Sequence, residues 1–373
     1  MDGFKNNMTI NDIQIIIKMQ LDTMEKFPKA SAKLPPMMIW GAPGVGKSTM
    51  VKNIANELGI GFIDVRLSQR EPVDIRGLPV PSEDGVKWIV SSEWPRDPKS
   101  RGIILFDEIS SADRSLQVAA YEFILDRRLG NLYQVPDGWY IIAAGNRIED
   151  RAVAMTMSSA LANRFMHVEL REDAEEWGRW AVMTGIHPAV CSFIKFRPEL
   201  LFKMEDENLE RGWPSPRAWE RVSIMLKLAE QNQMRSSLVQ KMVYGLVGNG
   251  AGSEFMSFYK NADIMEDVLE AMTNPDKDII IPDSPDRKYA LVSAMVYYLW
   301  KGRTEEETQT RIDGFLKICK KLSNDFAAMA IADAMASETK FNKFSKDKMS
   351  MILSHPRYLE WAKVHGKILK KYS

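Results

Sequence analysis

The sequence predicts an α/β fold, a mostly parallel sheet covered by helices on both faces, followed by an all-α lid and a C-terminal helical region. Three observations point to it. First, Gly41-Ala42-Pro43-Gly44-Val45-Gly46-Lys47-Ser48-Thr49 satisfies the phosphate-binding pattern G-x-x-x-x-G-K-[ST] without a mismatch. It stands between an apolar run, Met37 to Trp40, and an amphipathic segment with Met50, Val51, Ile54 and Leu58 on one face. Second, Ile103 to Phe106 and Trp139 to Ala144 are unbroken apolar runs, as expected of strands buried on both faces. Third, strand and helix signals alternate as far as Arg171, and helical periodicity dominates afterwards.

Taken in chain order, Asn11 to Lys26 reads as a helix, with Ile13, Ile16, Ile17, Leu21 and Met24 at helical spacing. Pro28 and Pro35-Pro36 mark a connector into the first strand. Beyond the glycine loop and its helix, Gly59 caps, and Phe62 to Leu67 forms a second short strand. Two insertions interrupt the alternation. Leu78 to Trp94 carries Asp84-Gly85 between Val80 and Val86-Lys87-Trp88-Ile89-Val90 and reads as a hairpin, and the second insertion lies around Gly130-Asn131. Trp88 and Trp94 would either meet a substrate or pack the hairpin onto its own domain.

After Arg171 the segments Ala174 to Thr184, Pro216 to Gln231 and Ser236 to Val247 read as helices of a small bundle. The glycine-rich run Gly245 to Gly252 lacks both a following lysine and a preceding strand, so it reads as a helix break. Asn274 to Pro285, rich in Pro and Asp, is the candidate linker, and Leu291 to Trp300 and Ala327 to Ala336 are the most apolar parts of the last region. The basic tail Lys363 to Lys371 reads as a solvated helix end. The expected divisions are 1–34, 35–172, 173–273 and 274–373.

At 373 residues the chain is long enough for two or three domains, each able to bury a core, given roughly 100 to 200 residues per domain. Lys plus Arg number 50 and Asp plus Glu 50, so no net charge recruits nucleic acid or an anionic membrane from a distance. Cys191 and Cys319 lack C-x-x-C spacing and a neighbouring histidine cluster, which points to buried thiols in a reducing compartment rather than disulfides or a zinc site. No basic segment with an apolar core opens the chain, and no window reaches the length of a membrane span, so a cytoplasmic protein is expected.

The chemistry follows from the pattern. Glycines let successive N–H groups turn inward toward phosphate, and the following helix adds the positive end of its dipole. Lys47 would neutralise the outer phosphates, and Ser48 would ligate a bridging Mg2+. The apolar run at 103–106 ends in Asp107-Glu108, which a parallel sheet would aim at the same site. Asp107 would hold the metal, and Glu108 would polarise the water that attacks the terminal phosphate. A third strand ends in Gly145-Asn146, whose amide could orient that water or sense the phosphate.

The order phosphate loop, acid pair, then Asn resembles the AAA+ ATPase superfamily, over roughly Pro35 to Arg221. The spellings Leu105-Phe106-Asp107-Glu108 and Ala143-Ala144-Gly145-Asn146, with Val135-Pro136-Asp137-Gly138-Trp139 between them, resemble its MoxR branch, which carries hairpin insertions. The resemblance implies an αβα P-loop sandwich that binds ATP and Mg2+. The nucleotide would meet Gly41, Pro43, Gly44, Val45, Gly46, Lys47, Ser48, Thr49, Asp107 and Arg217, with Ser48 and Asp107 on the metal and Lys47, Glu108, Asn146 and Arg164 in catalysis.

Arg164 comes from Leu161-Ala162-Asn163-Arg164-Phe165, which resembles the helix end that sends an arginine into a neighbouring subunit; Arg147 and Arg151 lie nearby and could share or take that role. Arg217 comes from Ser215-Pro216-Arg217-Ala218, which resembles the second sensor of the helical lid. There a cation in the first helical turn opposes the dipole, so helix stability does not account for it.

The resemblance further implies a homo-oligomeric ring, a hexamer, acting as a chaperone that remodels a client, with a partner bearing a von Willebrand factor A domain. The alternatives are a nucleic-acid motor or loader and a restriction-type member using GTP. The guanine-reading motif N-K-x-D is absent, since Asn342-Lys343-Phe344-Ser345 ends without an acid.

Overall fold

The computed structural model describes residues 7–83, 85–147, 162–204, 211–260, 264–300, 302, 304–336 and 348–369. The chain forms two compact units, Met1–Glu172 and Asp173–Ser373.

In the first unit the strands are β1 Asn7–Met8, β2 Met37–Trp40, β3 Gly61–Arg66, β4 Leu78–Ser82, β5 Gly85–Ile89, β6 Gly102–Asp107, β7 Arg128–Leu129, β8 Tyr133–Gln134, β9 Trp139–Gly145 and β10 Met166–Leu170. The helices are α1 Ile10–Lys26, α2 Lys47–Leu58, α3 Pro72–Arg76 and α4 Arg114–Asp126. Six strands form one sheet in the order β1-β10-β2-β9-β6-β3, and every pairing in it is parallel. The α/β class expected from alternation is the one observed.

Local chemistry accounts for the elements. Thr9 accepts from the Asp12 N–H while the Asp12 carboxylate accepts from the Thr9 N–H, a reciprocal cap that starts α1. Helix α2 begins after Gly46 and ends at Gly59, both left-handed, as the loop pattern and the expected cap require. It buries Met50, Val51 and Ile54, but Leu58 in the last turn is 43% exposed, contrary to its place on the expected face. Strands β6 and β9 are buried at every position.

The first insertion is an antiparallel hairpin in which Leu78 faces Ile89 and Ser82 faces Gly85. Trp94 does not belong to it. Its indole is buried against Phe123, 4.4 Å away between ring centroids, and Phe106, 6.3 Å away, so it fills the core between sheet and α4. The second insertion is a two-stranded antiparallel pair, β7 with β8.

The second unit is helical: α5 Ala174–Met183, α6 Pro188–Phe196, α7 Pro216–Gln231, α8 Ser236–Val247, α9 Asn249–Lys260, α10 Ile264–Thr273, α11 Pro285–Leu299, α12 Glu305–Cys319, α13 Asn324–Ala336, α14 Lys348–Leu353 and α15 Pro356–Leu369. Gly248, at φ 79°, separates α8 from α9, which is the break read from the glycine-rich run. Residues 274–284 carry neither helix nor strand. One buried cluster surrounds Phe193, Trp219 and Phe255, and another surrounds Leu291, Trp300 and Phe315. Both cysteines are buried and unbridged, and burial pushes the Cys191 thiol up to about 12 and that of Cys319 in the same direction. Such thiols are inert. Among the described residues no helix is long and apolar enough to cross a membrane.

Candidate functional site

Strands β2, β9 and β6 are neighbours in the sheet, with Trp40 opposite Gly145 and Phe106 opposite Ala143. Parallel pairing in this register brings the phosphate loop, Asn146 and the pair Asp107-Glu108 to one edge. The carboxyl edge of a parallel sheet is where ligands bind in such folds.

The loop is built as a cradle. Gly44 and Gly46 have φ of 87° and 101°, a left-handed backbone that a side chain would strain and that turns N–H groups inward. Gly46 opens α2 without a side-chain cap, so the first helical N–H groups meet no acceptor from the cap residue. At Gly41 a Cβ would approach the Leu170 carbonyl to 3.3 Å, which favours glycine in packing the loop against β10. Val45 is buried, Pro43 and Ser48 are half-buried, and Thr49 is exposed.

Lys47 is buried, and its ammonium donates to the carbonyls of Gly41 (2.6 Å) and Ala42 (3.0 Å) and to Asn146 Oδ1 (2.9 Å). The lysine and the asparagine thus meet directly. Asn146 is itself held from behind, because its backbone N–H donates to Oγ of the buried Ser110 at 2.9 Å. Ser110 carries no motif, and only its place in the turn after the acid pair links it to the site.

Asp107 is buried; one carboxylate oxygen accepts from the Ser48 hydroxyl and the other from the Glu108 N–H at 2.9 Å. Two hard oxygen donors therefore sit side by side at the mouth of the cradle, the donor chemistry that suits Mg2+. Glu108 has a φ of 58°, a left-handed conformation that costs a non-glycine residue about 1–3 kcal/mol and that concentrates at functional sites. Its carboxylate accepts from the hydroxyl of Ser68, in the short 3-10 turn Leu67–Gln69 that follows β3. Neither the backbone twist at Glu108 nor the Ser68 contact has a signal in the sequence.

Asp64, on β3, lies on the same side as Asp107. Its Oδ1 is buried without a hydrogen-bond partner, and its carboxyl is pushed above the ordinary range, first by burial and then by the Asp107 charge.

Arg164 is exposed in the turn that follows Ala162. Arg147, directly after Asn146, is half-buried, whereas Arg151 lies outside the described residues. Arg217 belongs to the second unit, exposed in the first turn of α7, where Ser215 accepts from the Ala218 N–H at 3.2 Å as the N-cap.

Comparison with known proteins bears on this arrangement. Midasin of Giardia intestinalis is 26% identical over 170 residues, which is 43% of this chain and 4% of midasin. Lon protease 2 of Borreliella burgdorferi is 31% identical over 87 residues, 23% of this chain and 11% of that protein. The chain thus spans a small fraction of the length of these curated relatives. Similar solved structures include the Thermotoga maritima RuvB Holliday junction branch migration motor, at 16% identity and a TM-score of 0.34, covering 69% of this chain and 76% of that one. NtrX from Brucella abortus matches at 14% identity and a TM-score of 0.29, over 94% of this chain and 68% of the other. Residues 37–170 match the model of the "ATPase family associated with various cellular activities (AAA)". That span runs from β2 to β10 and holds the phosphate loop, the acid pair and Asn146; residues 37–170 are an AAA ATPase family domain.

Proposed function

We propose that this protein binds and hydrolyses ATP with Mg2+, as a MoxR-like ring ATPase that remodels a partner protein. The observation that carries the proposal is the meeting of Lys47 with Asn146, and of Ser48 with Asp107, beyond the ends of the three neighbouring parallel strands β2, β9 and β6. Backbone N–H groups of residues 44–48 and the Lys47 ammonium would take the phosphate oxygens, displacing the Gly41 and Ala42 carbonyls as partners of that ammonium. Ser48 and Asp107 would hold Mg2+, which when bound neutralises charge on the outer phosphates.

Glu108, held by Ser68, would orient and polarise the attacking water, while Asn146 reports the terminal phosphate to the loop through Lys47. Arg164, exposed on its turn, would complete the site of the next subunit, which makes a ring the working unit and a hexamer its expected form. Arg217 would reach the phosphates from the helical unit. The client would be a protein, with a von Willebrand factor A domain protein as partner.

Glu108→Gln tests this. ATP binding should persist while turnover falls by about 10²- to 10⁴-fold, the range for loss of a general base. Undiminished turnover would remove Glu108 from the chemistry. Capture from native lysate with the same variant and ATP should retain a protein client, and retention of DNA instead would overturn the remodelling role.

A further inference from the structure

Trp40 and His167 take no part in the chemistry above, yet they connect two of its components. Trp40 is the last residue of β2, directly before Gly41, and lies opposite Gly145 on one side and Glu169 on the other. Its indole N–H donates to His167 Nδ1 at 2.9 Å, with the two rings within 8° of parallel. An indole nitrogen can only donate, so Nδ1 is the unprotonated ring nitrogen. The proton therefore rests on Nε2, which lies 2.7 Å from the Ala162 carbonyl and donates to it.

That carbonyl also accepts the Phe165 N–H at 3.3 Å, closing the turn over residues 162–165. Phe165 is buried, its ring centroid 6.1 Å from that of His167, and Arg164 stands exposed between these anchored residues. Phe165 and the ring of His167 would satisfy packing alone. The use of both imidazole nitrogens, in one tautomer, does more: it sets the direction of the Ala162 carbonyl relative to the strand that feeds the phosphate loop.

We propose that His167, oriented by Trp40, is a positioning residue for the turn that carries Arg164, and ties that arginine to the phosphate loop of its own subunit. The inference rests on Arg164 acting as a finger toward a neighbouring site. A finger acts at a distance from its anchor, and a misplacement of about 1 Å can cost on the order of a hundredfold in rate. His167 acts on the reaction only through Arg164, so its loss should appear in kcat and not in nucleotide affinity.

The test compares turnover and the Kd of a fluorescent ATP analogue in His167→Ala, His167→Gln, Trp40→Phe, Arg164→Ala and the double variant Arg164→Ala/His167→Ala. His167→Ala and Trp40→Phe should lower kcat by about ten- to a hundredfold, with Kd changed by less than about twofold. His167→Gln, whose terminal amide carries a donor in place of Nε2, should recover most of the rate. The double variant should be no slower than Arg164→Ala, as residues acting through one another are not additive.

Full turnover in His167→Ala beside an inactive Arg164→Ala overturns the positioning role. So does an additive double variant, an equal loss in His167→Gln, or a Kd that rises in step with the fall in kcat. Full turnover in Arg164→Ala instead overturns the reading of the finger. If His167→Ala does not fold, Trp40→Phe keeps the test, since it retains the aromatic ring and removes the N–H.

Discussion

Strand β6 and the β4–β5 hairpin are both rich in large apolar residues, and they have opposite fates. Every residue of β6 is buried, whereas Leu78, Val86, Trp88 and Ile89 of the hairpin are 56%, 63%, 44% and 53% exposed. The difference lies in what flanks them. β6 pairs with β3 and β9, and α2 and α4 cover its faces; among the described residues the hairpin strands pair only with each other. Apolar side chains become core only where neighbours close over both faces. The same closure makes β6 a fixed mount for Asp107 and Glu108.

This contrast can be broken at either end. The largest effect is expected from Phe106→Ala in β6, which leaves a cavity beside Trp94 and Phe123 and should lower stability by about 3–5 kcal/mol in denaturant unfolding. Next is Lys47→Ala at the site that β6 and its neighbours support. Losing its charge-assisted bonds to phosphate, at about 1.5–3 kcal/mol, should weaken nucleotide binding ten- to a hundredfold or more by calorimetric titration. The smallest effect belongs to Trp88→Ser on the hairpin, where unfolding free energy should move by no more than about 0.5 kcal/mol. A Trp88→Ser loss as large as that of Phe106→Ala would show that the hairpin is part of the core after all.

Much of the site was legible in the sequence because its signals are local. A glycine loop between strand and helix, and polar residues at the ends of apolar runs, need only parallel pairing to converge. The hairpin boundary was read too far, to Trp94, because an apolar residue just past a strand gives no sign of which surface it will join. Ser68, Ser110 and His167 escaped notice for a related reason. Each acts on a residue distant in sequence, Ser68 on Glu108 and Ser110 on Asn146, 40 and 36 positions away. The Trp40–His167 bond spans 127.

The amino-acid order alone determined the parallel α/β class, the helical character beyond Arg171, and the glycine-loop pattern with polar residues ending the apolar runs, because periodicity and turn chemistry act between near neighbours. Only the tertiary structure decided that Lys47 holds Asn146, that Glu108 sits in a left-handed turn beneath Ser68, and that the strand feeding the phosphate loop is tied through His167 to the Arg164 turn. Those arrangements depend on sheet register and side-chain donor direction. Both are settled when distant segments pack together, where each buried polar group must find a partner of the right kind.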